Sequence, residues 1–537
     1  MTTQEFREKV IALIDDLKAV CASYGLGNDG NEFKIITQVF LYKFLNDKFA
    51  HEVKRIEPPL ANANSWEDEL RKMPADDFEM LLLQLGPGTA RLRPEHFLSS
   101  LWAKQNDENF SAMLDATLLD IAKLNTDIFS VKTNDGQMIT LFDPVTQFVS
   151  SKRDEFARAI INKLIPFGFE PIFAEKFDFY ATLFEYLIKD YNKDGGGKYA
   201  EYYTPHAVAK IMAACLVPKP VSNVTCYDPA AGSGTLLMNL AHAIGDDSCT
   251  LYTQDVSQKS SSLMRLNLIL NNLVHSIPHV IQGNTILEPY HKEGGGLRRF
   301  DYIVSNPPFK LDFSDFRDQL DTKANKQRFF AGIPKVPPKE KDKMAIYLLF
   351  IQHIIHSLST NGKAAIVVPT GFITAQDGIE KRIREHLVEN KLLAGVVSMP
   401  SNIFATTGTN VSILFLDATN QGDVILIDAS NLGTKVKEGK NQKTLLSDTD
   451  NEQIIRVFKT KEAVEDFSVV VSYDDIAAKN CSLSAGQYFE VKVEHVDMTT
   501  KEFENELAAR KGRLHVLFLR SREIEKELEI QLGELHL

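Results

Sequence analysis

The chain has 537 residues, five cysteines and a formal net charge of −12 at pH 7. This length exceeds what one hydrophobic core supports and predicts about three domains. The cysteines are scattered, with no C-x-x-C pair and no nearby histidine at metal-binding spacing, which argues against a disulfide framework and a metal site. The acidic balance argues against a stand-alone duplex-binding protein, because duplex affinity depends on Lys and Arg that neutralise phosphates.

The chain shows no targeting or membrane signal. Residues 1–7 lack a basic segment followed by an apolar one, and no apolar run approaches membrane-spanning length. We therefore expect a protein of the reducing cytoplasm without a membrane partner.

Residues 1–170 have the apolar spacing of helices and little that is typical of strands. We predict a mostly helical N-terminal domain whose core is formed by the residues at this spacing. These are Val10, Leu13, Ile14, Leu17, Phe33, Ile36, Phe40, Phe44, Leu45, Phe78, Leu81 and Leu82.

A further helix is predicted at 177–191, before a flexible break at 192–197. The next segment, 198–205, precedes a helix at 206–216. Thr204 is predicted to cap this helix and Pro205 to occupy its first turn. A second interpretation is that the aromatic residues and the helix start also form the wall of a ligand pocket.

A strand at 224–227, a glycine turn and a helix follow, which is typical of the start of a nucleotide-binding fold. The turn contains Asp228, Gly232, Ser233 and Gly234. Leu237 stands where a dinucleotide fingerprint has its third glycine, and no Walker lysine follows the turn. This pattern favours a nucleoside with an amino-acid tail over a pyrophosphate ligand.

Strand 251–254 ends at Asp255, a position at which a carboxylate holds ribose hydroxyls in folds of this kind. The alternative is that Asp255 only caps the next helix. Strands and helices continue to alternate, with strands at 280–282, 300–304, 364–369, 393–399 and 411–416 and helices at 344–358 and 378–389. We predict an α/β fold with a doubly wound sheet over about 175–420.

The strand at 300–304 leads into Ser305-Asn306-Pro307-Pro308-Phe309. A side-chain amide oxygen, a carbonyl held by the fixed φ of proline and an aromatic face could together hold a planar amine. Accepting both N–H protons of an adenine amine would direct its delocalised lone pair towards methyl transfer without a general base. Phe309 would stack on a base that has left the duplex. The alternative is a plain proline-rich turn.

Two later regions predict interactions. The polar segment 310–343 mixes aromatic with basic residues, which is equally consistent with a flap over nucleic acid and with a solvated loop. The C-terminal residues form an apolar helical seam that fits docking on a partner helix or folding back on the chain's own domain. The seam comprises Phe503, Leu507, Leu514, Leu517, Ile524, Leu528 and Leu535, and is interrupted by Arg510, Ser521 and Gln531.

In this order, segments 202–205, 228–234 and 306–309 together with Asp255 resemble the methyltransferase (M) subunit of type I restriction-modification systems, a family of adenine-N6 DNA methyltransferases. Segments 40–45, 362–369 and 399–404 add to the resemblance, which covers nearly the whole chain. It implies a Rossmann-like, S-adenosylmethionine-dependent methyltransferase domain at 171–420, a helical N-terminal domain at 1–170, a mixed region at 421–495 and a C-terminal helix at 496–537.

The resemblance also implies roles for individual residues. Asp228 would lie near the cofactor's amino group, Asp255 would bind its ribose, and Asn284 stands where the family often has an acidic residue that contacts its adenine. The methionine part would be enclosed by Glu201, Tyr202, Tyr203, Thr204, Pro205, Gly232, Ser233 and Gly234. The catalytic segment would be Asn306, Pro307, Pro308 and Phe309.

The resemblance implies partners that account for the acidic charge. A specificity (S) subunit would read the DNA sequence, a second M subunit and a restriction (R) subunit would join the complex, and the substrate would be double-stranded DNA. The C-terminal helix would dock on the S subunit. The alternatives are a self-contained adenine or protein-glutamine methyltransferase, and a cofactor-binding scaffold without catalysis.

Overall fold

A computed structural model of the chain describes residues 2–27, 30–173, 186, 204–404, 410–438, 441–489 and 499–534. The chain forms two compact units, Met1–Tyr488 and Phe489–Leu537. The predicted helix at 177–191 and the break at 192–197 lie outside the described residues, apart from position 186.

The N-terminal region is helical, as predicted. The predicted apolar positions are buried, except for the half-buried Phe78, because their spacing places them on the inner faces of the helices. The helices are α1 (Thr3–Ser23), α2 (Gly30–Ile56), α3 (Pro58–Ala61), α4 (Trp66–Lys72), α5 (Ala75–Gln84), α6 (Leu98–Ala103), α7 (Phe110–Leu124), α8 (Thr126–Phe129), α9 (Arg153–Leu164) and α10 (Glu170–Phe173).

An eleven-stranded sheet follows the order β15-β12-β10-β11-β9-β8-β3-β4-β5-β1-β2. Its strands are β1 (Val131–Thr133), β2 (Met138–Ile139), β3 (Val224–Asp228), β4 (Cys249–Asp255), β5 (Val280–Gln282), β8 (Phe300–Ser305), β9 (Leu358–Pro369), β10 (Leu393–Ser398), β11 (Val411–Asp417), β12 (Val424–Asp428) and β15 (Ser468–Val471). Two small hairpins pair β6 (Lys292–Glu293) with β7 (Gly296–Leu297) and β13 (Thr434–Glu438) with β14 (Asn441–Leu445).

The centre of the sheet is parallel. Strand β3 pairs in parallel with both β4 and β8, β4 pairs with β5, and β8 pairs with β9. The chain runs outwards from β3 through β4 to β5 and then returns to the other side of β3 as β8, so the strand order reverses between β3 and β8. Ligands bind outside the carboxyl ends of the strands at such a reversal.

The helices that alternate with these strands cover the sheet and confirm the predicted doubly wound α/β fold. They are α11 (His206–Leu216), α12 (Thr235–Ile244), α13 (Gln258–Leu270), α14 (Arg317–Leu320), α15 (Tyr347–His356), α16 (Thr370–Thr374), α17 (Gly378–Glu389), α18 (Asp448–Thr460) and α19 (Tyr473–Ala478).

The sheet extends beyond the predicted range of 175–420 at both ends. Strands β1 and β2 come from the N-terminal region, and β1 pairs in parallel with β5. Arg265 of α13 reinforces this junction, because its guanidinium donates to the carbonyls of Phe129, Ile139, Thr140 and Leu141. At the other end, β12 and β15 add strands beyond residue 420. The domain boundaries at 170 and 420 stay a prediction.

The segment 310–343 buries part of its aromatic side chains and exposes most of its other residues. Its role as a flap over nucleic acid or as a solvated loop stays a prediction. Phe313, Leu320 and Phe329 are buried in an apolar cluster with Ile286 of the loop after β5. The exposed side of the segment instead carries lysines, because burial of the rings leaves the polar residues outside. These are Lys310, Lys323, Lys326, Lys335, Lys339, Lys341 and Lys343.

The second unit contains helix α20 (Thr500–Glu534). The predicted seam residues from Phe503 to Leu528 are exposed, whereas Leu535 lies outside the described residues. Val516, Phe518, Leu519 and Ile530 are exposed as well, so apolar side chains stand on more than one face of the helix.

Among the described residues, none of the helices is both long enough and apolar enough to cross a membrane. The same residues contain no group of three metal-binding side chains. All five cysteines are free thiols in buried positions.

Candidate active site

Four predicted site residues follow the carboxyl ends of adjacent parallel strands. Asp228 ends β3, Asp255 ends β4, Asn284 follows β5 and Asn306 follows β8. Because these strands are neighbours in the order β8-β3-β4-β5, the four side chains share one edge of the sheet. The edge includes the reversal of strand order, where a cleft for a ligand is expected.

Asp228 is almost fully buried at the centre of this edge. Its Oδ1 accepts from the Ala230 amide at 2.9 Å and from the Ser305 hydroxyl at 3.0 Å. Its Oδ2 has no hydrogen-bond donor within the described parts of the chain. Burial raises the pKa of Asp228 to about 7, and the charge of nearby Asp255 adds to the rise. This carboxyl can therefore accept a bound cation in place of a proton.

The glycine turn is held in the conformation that a close backbone approach needs. Gly232 and Gly234 have φ values of 53° and 89°, in the left-handed region that favours glycine. Gly234 caps helix α12, so the first amides of this helix face the edge of the sheet. Asn267 of α13 fixes the turn from behind by donating to the Ser233 carbonyl at 2.7 Å.

A backbone amide donates to each oxygen of Asp255, and the Ser260 side chain also hydrogen-bonds to this carboxylate. The Gly232 amide donates to Oδ2 and the Ser257 amide donates to Oδ1, both at 2.9 Å. Burial raises its pKa, and these two amides oppose the rise. The contact with Gly232 joins the end of β4 to the glycine turn. Asp255 therefore has a contact outside the start of the helix that follows it. A carboxylate has about four lone-pair sites, so Asp255 keeps the capacity to accept from a further donor.

Asn284 uses its side-chain oxygen within its own loop. The oxygen accepts from the Ile286 amide at 3.0 Å and from the Leu287 amide at 3.1 Å. Only the amide nitrogen is then left for a ligand, so Asn284 can donate to an acceptor such as a ring nitrogen. It cannot accept from an exocyclic amine, as an acidic residue at this position would.

Asn306 is oriented by a residue more than a hundred positions away. Its Nδ2 donates to the Thr204 hydroxyl at 3.2 Å, and Thr204 is buried. With the amide in this orientation, Oδ1 is the atom left to accept, and Oδ1 has no partner among the residues that the structure describes.

The predicted capping role of Thr204 is therefore wrong. Helix α11 begins at His206, its N-cap is Pro205, and the cap has no side-chain hydrogen bond. The hydroxyl accepts from the Asn306 amide instead. Glu201, Tyr202 and Tyr203, the other predicted residues of this segment, lie outside the described residues.

Phe309 is half-buried and contacts a ring that the sequence does not single out. The Tyr347 ring lies 6.2 Å from it, centroid to centroid, at an interplanar angle of 75°. Tyr347 opens helix α15 and packs in turn on Phe372. This edge-to-face support fixes the Phe309 ring and leaves part of it open for stacking. Pro307 is buried beside it, and Pro308 is half-buried.

Together these groups offer a cation acceptor, oxygens for hydroxyl donors, a ring-nitrogen donor and an amide oxygen beside an aromatic ring. This donor and acceptor set fits a nucleoside that carries an amino acid at one side and a planar amine at the other. Ser305 is not a predicted site residue and Thr204 is predicted only for the cofactor pocket and the helix cap, yet they hold Asp228 and Asn306 in place. No sequence motif marks these contacts, because they join strands that are far apart along the chain.

The model of a family described as N-6 DNA methylase matches residues 175–497. The methylase subunit of the type I restriction enzyme MpnII from Mycoplasma pneumoniae is 28% identical over 333 residues, which cover 60% of this chain and 59% of that protein. The methylase subunit of the type I restriction enzyme MjaIX from Methanocaldococcus jannaschii is 27% identical and covers 89% of this chain and 84% of its own length. The alignment with the Mycoplasma protein thus spans less than two thirds of that relative.

A solved structure shares the fold over most of the chain. It is the methyltransferase subunit of a type I restriction-modification system from Streptococcus thermophilus, with a TM-score of 0.68 and 22% sequence identity. The similarity covers 91% of this chain and 100% of that one.

Proposed function

Because the chain belongs to the N-6 DNA methylase family, we propose that it is the modification subunit of a type I restriction-modification complex. In this role it transfers a methyl group from S-adenosylmethionine to N6 of an adenine that has left the DNA duplex. The orientation of Asn306 carries the proposal, because Thr204 occupies its nitrogen and leaves its oxygen to accept from an amine.

The site must activate the adenine amine, because this amine is a weak nucleophile. The lone pair of an adenine amine is delocalised into the ring, so the nitrogen is a weak nucleophile. When Asn306 Oδ1 and the Pro307 carbonyl accept its two N–H protons, they stabilise the positive charge that develops on nitrogen as the new N–C bond forms. Phe309 stacks on the base and fixes its plane. One proton leaves the amine for water after transfer, so no dedicated general base is needed.

S-adenosylmethionine would supply the methyl group from its positively charged sulfur; the S–C bond would break as the N–C bond forms and would leave a neutral thioether. In the proposed arrangement Asp228 pairs with the cofactor's ammonium, Asp255 accepts from the ribose hydroxyls and Asn284 donates to a ring nitrogen of its adenine. The glycine turn and residues 201–205 enclose the methionine part. The free Oδ2 of Asp228 and the spare lone pairs of Asp255 support these assignments.

Cofactor binding should depend on pH because of Asp228. Its pKa of about 7 in the folded chain means that the carboxyl is protonated below pH 7 and must lose its proton to pair with an ammonium. Affinity should rise about tenfold per pH unit up to pH 7, and should fall above about pH 8 as the α-amino group loses its proton. Calorimetric titration with S-adenosylmethionine across this range measures the profile.

The control is Asp228→Asn, which should bind more weakly and lose the acidic limb of the profile. An unchanged acidic limb in this variant would show that another group titrates, and would remove Asp228 from the cofactor site.

A separate S subunit, a second M subunit and an R subunit complete the proposed complex on double-stranded DNA. The charge of −12 supports dependence on partners for duplex affinity. The exposed lysines of segment 310–343 follow the catalytic segment along the chain, and we assign them to phosphates beside the flipped base. Helix α20 is the proposed docking element for the S subunit, since its apolar residues are exposed on more than one face.

The proposal is tested by transfer of a tritiated methyl group from S-adenosylmethionine to duplex DNA. The chain is assayed alone and after co-expression with the product of its neighbouring gene. We expect label on adenine N6 only in the presence of the partner. Label on DNA with the chain alone would indicate a self-contained enzyme. Label on glutamine side chains of proteins would show that the substrate is protein and not DNA. Cofactor binding without any transfer would indicate a scaffold.

Charges placed on the seam of α20 should abolish partner binding without unfolding the helix. Leu517→Glu with Ile524→Glu replaces two exposed apolar side chains, and Glu is a good helix former. Lys526→Glu introduces the same residue on the opposite face and is the matched control. Co-purification with the S subunit should be lost in the double variant and kept in the control, while S-adenosylmethionine affinity is unchanged in both. Retained co-purification of the double variant would exclude this seam as the docking surface.

A further inference from the structure

Arg328 is a buried arginine in segment 310–343, and it has an acceptor for each of its three guanidinium nitrogens. The two terminal nitrogens donate to the Ile286 and Thr285 carbonyls, both at 2.7 Å, and Nε donates to His353 Nδ1 at 3.0 Å. None of these acceptors is a carboxylate. Burying a guanidinium charge without a carboxylate partner costs free energy, and its hydrogen bonds must offset that cost. Arg328 therefore holds the groups that accept from it in place.

The acceptors of Arg328 lie directly after Asn284. Thr285 also donates from its hydroxyl to the Pro229 carbonyl at 2.6 Å, next to Asp228. The loop 284–287 is thus held on one side by Arg328 and on the other by the turn that follows β3. Because Asn284 shares this loop, its place at the edge of the sheet depends on both bonds.

The histidine contact extends the network to strand β3. An arginine nitrogen can only donate, so His353 Nδ1 accepts and the ring carries its proton on Nε2. That nitrogen lies 3.1 Å from the Tyr227 hydroxyl, to which it therefore donates. Burial and the charge of Arg328 hold the pKa of His353 well below its ordinary value, so the ring stays neutral. The donor and the acceptor of each hydrogen bond from Arg328 through His353 to Tyr227 are then fixed.

Apolar packing joins the same parts. Ile286, Phe313, Leu320 and Phe329 belong to one buried cluster, against which Leu287 also packs. Segment 310–343 and loop 284–287 therefore share a core that is distinct from the main core of the chain.

We propose that Arg328 is a positioning residue for the cofactor: it holds loop 284–287, and with it Asn284, in the place that binds the adenine of S-adenosylmethionine. This inference rests on the proposed function. It assigns the segment after the catalytic residues to cofactor binding as well as to DNA.

The test compares Arg328→Lys and Arg328→Gln with Arg317→Gln in the full chain, using calorimetric binding of S-adenosylmethionine. Lysine keeps the charge but cannot reach three acceptors in a plane. Arg317 is the matched control, because within the described residues its guanidinium hydrogen bonds and ion pairs go to Pro334, Asp318 and Asp321 of its own segment. We expect both Arg328 variants to weaken binding about tenfold or more, as the loss of a charged hydrogen bond does, and the control to bind as the unaltered chain.

Steady-state kinetics in the presence of the partner separates positioning from a purely structural role. In Arg328→Lys the KM for S-adenosylmethionine should rise, while kcat at saturating cofactor stays within about threefold. Unchanged cofactor affinity, or variants that melt below the assay temperature, would overturn the inference in favour of a structural role. Absence of S-adenosylmethionine binding by the unaltered chain would overturn the proposed function, and the inference with it.

Discussion

Asn306→Ala should reduce methyl transfer to DNA by roughly 10²-fold or more while leaving the affinity for S-adenosylmethionine unchanged. A loss of this size is typical when one positioned hydrogen-bonding group that acts on the transition state is removed. The amine would keep only the Pro307 carbonyl as acceptor and would lose the alignment that Asn306 provides. Single-turnover transfer from labelled cofactor, with the partner subunit present, measures the chemical step directly.

Two further variants separate orientation from chemistry. Thr204→Val removes the hydroxyl that holds Asn306 Nδ2 and should cost less than the alanine variant, because the amide stays in the site. Thr204→Ser keeps the hydroxyl and should transfer at nearly the original rate. If Asn306→Ala kept its single-turnover rate, the catalytic assignment of the whole segment 306–309 would have to be withdrawn.

Gly234→Ala should destabilise the chain by about 2–5 kcal/mol and abolish cofactor binding. A left-handed φ of 89° costs an alanine about 1–2 kcal/mol. An added Cβ would also overlap the Sδ atom of buried Met264, and such overpacking costs about 1–3 kcal/mol. Thermal melting measures the first effect and calorimetric titration with S-adenosylmethionine the second.

Gly25→Ala is the matched control for the backbone term. Gly25 has a φ of 82°, close to that of Gly234, and nothing lies within 4 Å of its added Cβ. Its variant should therefore lose only about 1–2 kcal/mol and bind cofactor normally. If the two substitutions destabilised the chain equally, the Met264 side chain would have moved away from the added Cβ without cost. The glycine turn at 232–234 would then be less constrained than its contacts indicate.

The sequence allowed the sheet edge to be predicted because each site residue follows a recognisable apolar strand. Asp228, Asp255 and Asn306 stand where an apolar strand pattern ends and polar or glycine-rich residues begin. Parallel strands bring such strand ends together at one edge of the sheet. Strands β1 and β2 were missed because two or three residues are too short to show alternation.

Residues that act over long sequence distances could not be predicted. Thr204 has the local signature of a helix cap, and only the folded chain brings its hydroxyl to Asn306, which is 102 positions away in the sequence. Arg328 and Phe329 lie in a segment whose many charges suggest solvent. Their burial depends on Ile286 and His353, which come from other elements and leave no periodic signal.

The parallel pairing of β1 with β5, together with the contacts of Arg265 to the β1–β2 region, has a consequence for how this architecture can be recombined. A chimaera joined at residue 170 would take β1 and its neighbour β5 from different parents, although they share backbone hydrogen bonds. The N-terminal helices are therefore not an exchangeable module. Exchange of the N-terminal region between relatives would preserve the sheet only under two conditions. The incoming β1–β2 hairpin must pair with β5 in the same register, and its carbonyls must lie where Arg265 can donate to them.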